Sequence, residues 1–260
     1  MKVSTTKTVV FITGAFVSSA CWNDWKAYFE RKGYTCYAPS WPHKDALAAT
    51  LRLQHPDARI AANGLASVTD FFADFVQKLP EKPILIGHSF GGLMTQLLLQ
   101  RDLAAAGIAI DSGPPQFLLT TKFSFAKSIY KAFGFFTDVN KPYLMSFKDW
   151  QYAFTNGLPL EEQKASYEAL LLPESKRLFR EALTSVAHVD YKKPHAPLLF
   201  TAGSNDHIVP ASLNYSNYKK YKDKNSVTDF KEFEGRTHFV LGQKNWQEVA
   251  DYCLNWIAQH

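Results

Sequence analysis

The strongest constraint on the fold is a repeated alternation between short apolar segments and longer segments with apolar residues at helical spacing. This alternation is typical of a mainly parallel sheet flanked by helices, because parallel strands are joined by helical crossovers. A length of 260 residues is enough for one such α/β domain with a sizeable core. The segments predicted as strands are 8–13, 34–38, 84–87, 107–111, 198–202 and 227–233. The main predicted helices are 22–31, 65–79, a segment ending near 105, 211–221 and 245–258, with an irregular connection over 39–63.

The alternation is interrupted once, between residues 116 and 194. This stretch shows several helical patterns and is rich in aromatic side chains, with twelve between residues 117 and 154. An insertion of about eighty residues that is neither repetitive nor polar is more typical of a folded lid than of a linker. We therefore predict a core domain formed by residues 1–115 and 195–260, and a helical cap formed by residues 116–194.

One short motif indicates the chemistry. Residues 87–91 (GHSFG) fit the pattern G-x-S-x-G. In this pattern the serine lies on a sharp, strained turn between a strand and a helix, so that its hydroxyl stands clear of the backbone. The pattern alone arises often by chance, but here a predicted strand directly precedes it and a helical pattern directly follows it. We therefore predict that Ser89 is a nucleophile.

With this motif in this context, the chain resembles the α/β-hydrolase superfamily, and specifically its smaller capped esterases and lactonases. The resemblance covers nearly the whole chain. It implies the α/β-hydrolase fold, with the cap inserted after the sixth strand of the family fold. It also implies cleavage of an acyl bond in a small-molecule substrate without a cofactor. No metal site is expected, because the three cysteines have no nearby partner at zinc-ligand spacing.

The resemblance also implies the partners of the serine. The family places its acid after a late strand and its histidine near the C-terminus. Asp206 lies just past the strand 198–202, and His238 lies in the loop after the last strand. Asp206 would orient His238, which would take the proton from Ser89 and return it to the leaving group. Asp111 is the alternative acid, because it also ends a strand. An Asx turn or a helix N-cap is the competing interpretation of Asp206.

A tetrahedral oxyanion needs two N–H donors that are already in place. By the family pattern one donor is the backbone N–H of Phe90, directly after the nucleophile. The other comes from the loop after the first strand, where we choose Ala15, with Phe16 as the second choice. The family usually has a histidine before the glycine of this loop, and this chain has Thr13. The departure affects the expected geometry of the loop more than the chemistry.

Comparison with other branches of the superfamily narrows the reaction. Dehalogenases and epoxide hydrolases use an aspartate nucleophile, against which Ser89 argues. Hydroxynitrile lyases carry a threonine where this chain has Gly14 and a lysine where it has Phe239, and cofactor-free haloperoxidases usually have a proline in the first loop. Hydrolysis of a carboxylic ester or lactone through an acyl-enzyme is the leading hypothesis. The alternatives are C–C bond hydrolysis, acyl transfer or perhydrolysis on the same triad, and ligand binding with little turnover.

The aromatic residues of the predicted cap suggest the apolar roof of a substrate pocket. An equally weighted alternative is that they form the core of a small helical cap. The residues that we expect to contact the substrate are Phe16, Phe125, Tyr130, Trp150 and Phe239.

The charge and cysteine content restrict the partners and the compartment. The net charge of +5 comes from scattered lysines without a long basic run, so nucleic acid is not an expected partner. Three cysteines do not form a disulfide framework, which favours a cytoplasmic location.

The apolar run 9–17, which follows Lys2 and Lys7, is better explained as a strand and loop than as a signal peptide. No segment approaches the eighteen apolar residues of a membrane span, and no feature indicates an oligomeric state.

Overall fold

The computed structural model describes residues 6–260, so that Lys2 and the first five residues of the predicted core domain lie outside the described residues. Six strands form one sheet in which every neighbouring pair is parallel, which confirms the predicted α/β-hydrolase fold class. The strand order is β2-β1-β3-β4-β5-β6. The strands are β1 Thr8–Ile12, β2 Thr35–Tyr37, β3 Ile84–His88, β4 Ala106–Ile110, β5 Leu198–Gly203 and β6 Thr228–Phe233.

Five helices of the described chain follow the strands: α1 Asn23–Arg31, α4 Leu65–Gln77, α5 Phe90–Leu99, α10 Ala211–Tyr218 and α11 Gln247–Ile257. The expectation of an irregular connection over residues 39–63 was wrong in part, because this segment contains the short helices α2 Ala48–Leu53 and α3 Ala58–Ala61. Helices of six and four residues are too short to show a clear apolar period in the sequence.

The core lies on both faces of the sheet. Successive strand residues point to opposite faces, so Val9 and Phe11 join one cluster while Val10 and Ile12 join the other. Burial on both faces explains why the four inner strands, β1, β3, β4 and β5, are largely apolar and do not alternate with polar residues. The edge strands β2 and β6 are partly exposed and more polar. On one face, Phe11 stacks on Trp22 with ring centres 4.8 Å apart. The sheet is therefore a rigid support for the loops at its carboxyl edge.

Residues 116–194, the helical stretch that interrupts the alternation of strands and helices, contain four α-helices: α6 Phe123–Phe133, α7 Phe147–Ala153, α8 Leu160–Leu170 and α9 Lys176–Glu181. Buried side chains from this stretch, such as Leu118 and Phe179, join the same cluster as the sheet residues of that face. The stretch therefore packs against the sheet domain. Its assignment as a separate cap domain stays a prediction.

The carboxyl ends of parallel strands meet at one edge of the sheet, where α/β proteins commonly bind ligands. The loops after β1, β3, β5 and β6 all leave from this edge. Within the described residues, the helices are too short or too polar for any of them to cross a lipid bilayer.

Candidate active site

Ser89 occupies the turn between β3 and α5 in a strained conformation, with φ of 58° and ψ of −120°. A positive φ is uncommon for a residue with a side chain and persists only where the surroundings impose it. The glycines on either side make the turn feasible: a Cβ at Gly87 would collide with the carbonyl of Gly91, and a Cβ at Gly91 would collide with the carbonyl of Ile12. The predicted nucleophile therefore lies on a sharp strand-to-helix turn.

The loops after β5 and β6 bring Asp206 and His238 together. The Nδ1 atom of His238 lies 2.6 Å from Oδ2 of Asp206, and both side chains are fully buried. The other carboxylate oxygen of Asp206 accepts the backbone N–H groups of Ile208 and Val209 at 2.7 and 2.8 Å. Asp206 thus closes its own turn with one oxygen and holds the imidazole with the other. The Asx turn, which was the competing interpretation of Asp206, is therefore present together with the contact to His238.

Burial controls the charge of this pair. It lowers the pKa of His238 to about 3 and raises the pKa of Asp206 well above its usual value. Within residues 6–260, the Nε2 atom of His238 is buried and has no hydrogen-bond partner. An imidazole that is neutral at pH 7, oriented through Nδ1 and free at Nε2, is able to accept a proton from a neighbouring hydroxyl.

His88 and Asp111 lie beside this pair. The ring of His88, next to Ser89 in the chain, has its centre 4.6 Å from that of His238, so the elbow and the imidazole are neighbours. Asp111 Oδ1 accepts the backbone N–H of Gly203 at 2.7 Å. Burial, with a smaller contribution from Asp206, raises the pKa of Asp111 well above its usual value. Asp111 therefore supports the backbone at the end of β5, whereas the carboxylate that contacts His238 is Asp206.

The same neighbourhood contains three side chains of types that bind metals. One atom each of His88, Asp111 and His238 lies within 4.8 Å of the others, and all three residues are buried. A metal bound by His238 would occupy the nitrogen that Asp206 leaves free, or would displace Asp206. Such binding would therefore compete with a role of His238 in proton transfer.

The loop after β1 passes directly by the elbow. The N–H of Phe16 donates a hydrogen bond to Oε2 of Glu174 at 2.8 Å, so it is occupied. Within the described residues the N–H of Ala15 has no acceptor. Phe90 is the first residue of α5, so no carbonyl of the same helix can accept its N–H. Of the two donors expected in this loop, the N–H of Phe16 is therefore engaged and that of Ala15 has no acceptor within residues 6–260. The oxyanion hole itself stays a prediction.

A cavity of about 270 Å³ extends from Ser89 beneath the helical stretch. Its walls are mostly aromatic and aliphatic, so an apolar group fits it best. The side chains that close it come from several elements: Phe16, Phe90, Leu118, Phe125, Ile129, Phe133, Met145, Phe154, Phe179, Ile208 and Val209, among others.

Two of the five residues expected to contact the substrate, Phe16 and Phe125, line this cavity. The other three lie elsewhere. Trp150 is fully buried and stacks on Phe154 with ring centres 4.2 Å apart. Tyr130 is 59% exposed and lies in an outer groove, which Ala126, Phe135, Phe136 and Tyr143 also line. Phe239 packs beside Trp150. These three side chains contact other parts of the protein or solvent, and none of them lines the cavity.

Several cavity residues were missed in the sequence. Phe133 and Phe154 belong to the twelve aromatics of the helical stretch, but nothing local separates them from their neighbours. Phe179 lies outside that cluster of aromatics, and its ring meets Phe90 with centres 5.0 Å apart. The spacing of Phe125, Ile129 and Phe133, which places them on one helical face, was the available signal.

Comparisons with known proteins agree with the fold. A monoacylglycerol lipase from Paleococcus ferrophilus has a similar structure, with a TM-score of 0.73, 21% identity, and coverage of 100% of this chain and 98% of the lipase. A methylesterase from Arabidopsis gives a TM-score of 0.67 with 16% identity, covering 97% and 99%. An extracellular α/β-hydrolase from a Paenibacillus species gives 0.69 with 19% identity, covering 95% and 98%. At these identities the likeness extends to the fold alone.

A search of curated proteins found no match. In contrast, the family model described as the alpha/beta hydrolase family matches residues 9–252, which is most of the chain and includes both the elbow and the late loops. The chain therefore belongs to the α/β-hydrolase family.

Proposed function

We propose that this protein is a serine hydrolase that cleaves a carboxylic ester or lactone of a small, largely apolar substrate. The observation that carries the proposal is the position of Ser89, on a strained elbow that opens into an apolar cavity and lies next to the buried His238–Asp206 pair. A cavity of about 270 Å³ suits a small acyl or alkyl group.

Acylation begins when Nε2 of His238 takes the proton of the Ser89 hydroxyl. The Oγ atom then attacks the carbonyl carbon of the substrate, and the carbonyl oxygen becomes an oxyanion that the N–H groups of Ala15 and Phe90 stabilise. As the bond to the leaving alcohol breaks, His238 gives its proton to the departing oxygen. Asp206 keeps the imidazole oriented and stabilises its cationic form.

Deacylation repeats these steps with water as the nucleophile. His238 takes a proton from water, the hydroxide attacks the acyl carbon, and the proton returns to Oγ of Ser89 as the acid leaves. With a lactone, the alcohol and the acid are parts of one molecule, so the product is a hydroxy acid. Each step uses only residues of this chain and water.

The proposal includes a cytoplasmic location, which is supported by the three cysteines: Cys21, Cys36 and Cys253 are all free thiols. The partner that we propose is a small molecule. The apolar lining of the cavity favours an uncharged substrate.

The test compares the hydrolysis of p-nitrophenyl acetate, butyrate and octanoate by the wild type and by Ser89→Ala. We expect turnover by the wild type and none above the uncatalysed rate by the variant, because the substitution removes only the nucleophilic oxygen. Equal melting temperatures would show that the variant is folded. Ester cleavage retained by Ser89→Ala would overturn the mechanism, and a wild type that hydrolyses no ester or lactone in a panel would overturn the substrate class.

A further inference from the structure

A carboxylate from the helical stretch reaches the loop after β1. Oε2 of Glu174, in the segment between α8 and α9, accepts the backbone N–H of Phe16 at 2.8 Å. Phe16 has φ of 69°, a conformation that residues with side chains adopt where their surroundings hold them. The carboxylate therefore restrains the residue that directly follows Ala15.

Glu174 is itself fixed on two sides. Nζ of Lys44 lies 2.5 Å from Oε2, and the backbone N–H of Ser175 donates to Oε1 at 2.8 Å. The side chains of Lys44 and Glu174 are 3% and 0% exposed. Nζ of Lys44 also lies 4.2 Å from the centre of the Trp41 ring, so its position is determined as well. The buried pair therefore holds the carboxylate that accepts the hydrogen bond from Phe16.

Backbone hydrogen bonds tie the same loop to the same segment. The N–H of Leu172 donates to the carbonyl of Phe16 at 2.7 Å, and the N–H of Ser18 donates to the carbonyl of Leu170 at 2.9 Å. Both backbone polar groups of Phe16 are therefore engaged by residues 172–174. The N–H of Ala15, one residue earlier, is left without an acceptor within residues 6–260.

Stability alone is a poor explanation for the Lys44–Glu174 pair. Removing two charges from water costs free energy, and two well-packed apolar side chains of similar size often stabilise a protein equally or better. The contact with Phe16 provides another explanation. We propose that Glu174, held by Lys44, is a positioning residue that orients the loop after β1 so that the N–H of Ala15 faces the oxyanion. This inference rests on the proposed acyl transfer at Ser89.

The test uses two double variants that both remove the buried charges. Glu174→Met with Lys44→Met leaves no acceptor for the N–H of Phe16, whereas Glu174→Gln with Lys44→Met keeps an amide oxygen there. We expect the first to lower kcat on p-nitrophenyl butyrate about 10- to 100-fold with KM within about twofold, less than the loss of a whole oxyanion donor. The second should stay within about threefold of the wild-type kcat.

A structural role would change the melting temperature without separating these two variants. Equal values of kcat for both, or a wild-type kcat in the variant without an acceptor, would overturn the inference. If the double variant Glu174→Met with Lys44→Met does not fold, Glu174→Asp is used for the test. This substitution keeps the charge but withdraws the carboxylate from Phe16. It should lower kcat at least about fivefold at unchanged KM, and a wild-type kcat would overturn the inference.

The rate of inactivation by a fluorophosphonate separates this inference from the proposed function. Phosphonylation of Ser89 needs the nucleophile and the oxyanion hole but not an ester substrate. We expect the variant without an acceptor to be inactivated about 10- to 100-fold more slowly than the wild type. A wild type that is phosphonylated but hydrolyses no ester would overturn the ester proposal, while the ratio of inactivation rates would still decide the role of Glu174.

Discussion

Gly14 lies directly against Ser89: a Cβ atom on residue 14 would stand 2.7 Å from the Cβ of Ser89 and 2.9 Å from the carbonyl oxygen of His88. Protein interiors are close-packed, so a contact this short forces one of the two chain segments to move. Glycine at this position therefore allows the loop after β1 to approach the elbow. The approach places Ala15, the next residue, in the wall of the cavity that Ser89 also lines.

Gly14→Ala should lower kcat/KM for p-nitrophenyl butyrate about 10- to 100-fold, because the added methyl group pushes the loop away from Ser89 and displaces the N–H of Ala15. Gly113→Ala is the matched control, since its Cβ would meet the carbonyl oxygen of Ser89 at 3.5 Å, an ordinary contact. We expect the control to keep kcat/KM within about threefold. Equal losses in both variants would contradict the steric explanation.

Asp206→Asn should lower kcat roughly 10⁴-fold, by analogy with serine proteases, because an amide cannot hold the required tautomer of His238 or stabilise its cation. Asp111→Asn is the control. The contact of Asp111 is the backbone N–H of Gly203, which donates to Oδ1 at 2.7 Å, and the amide oxygen of asparagine can accept the same hydrogen bond. We expect that variant to keep kcat within about tenfold. A large loss in Asp111→Asn together with a small loss in Asp206→Asn would show that the acid is Asp111.

On the acidic side, kcat/KM should fall at a pH below 6.5, the ordinary pKa of histidine. The neutral form of His238 is the base, and burial lowers its pKa from 6.5 to about 3, which keeps that form populated as the pH falls. We therefore expect kcat/KM to be constant from pH 8 to about 6.5 and to fall only at lower pH. The measurement is a series of initial rates with p-nitrophenyl butyrate. A midpoint at or above pH 6.5 would show that the charge of Asp206 outweighs burial.

Filling the cavity should shorten the acyl chain that the protein accepts. Ala182 lines the cavity, whereas Ala126 is exposed and lines the outer groove. Ala182→Phe should lower the ratio of kcat/KM for octanoate over acetate about tenfold or more, since a hydrophobic pocket discriminates by about this much per methylene. Ala126→Phe should leave the ratio unchanged. An unchanged ratio in Ala182→Phe would show that the acyl chain lies outside the cavity.

The two faces of α6 show where the sequence is ambiguous. Phe125 and Tyr130 are both aromatic and only five positions apart, and both were expected at the substrate. Phe125 lines the cavity as well as one side of the outer groove, whereas Tyr130 lines the groove but not the cavity. A helix with apolar residues on more than one face does not indicate which face is covered, because that depends on the neighbouring elements.

Local patterns were sufficient for the strands and helices of the parallel sheet and for the elbow at Ser89, since each element depends on residues close together in the chain. Membership of the α/β-hydrolase family followed from the order of these elements along the chain. The walls of the cavity and the support of the loop after β1 depend on contacts between distant segments. Lys44 and Glu174 are 130 positions apart, and neither lies in a motif. Only the packing of the helical stretch against the connection after β2 brings them together, as in the cluster of Leu172 with Leu51 and Ile60. A buried charge is tolerated there because the fold supplies its partner.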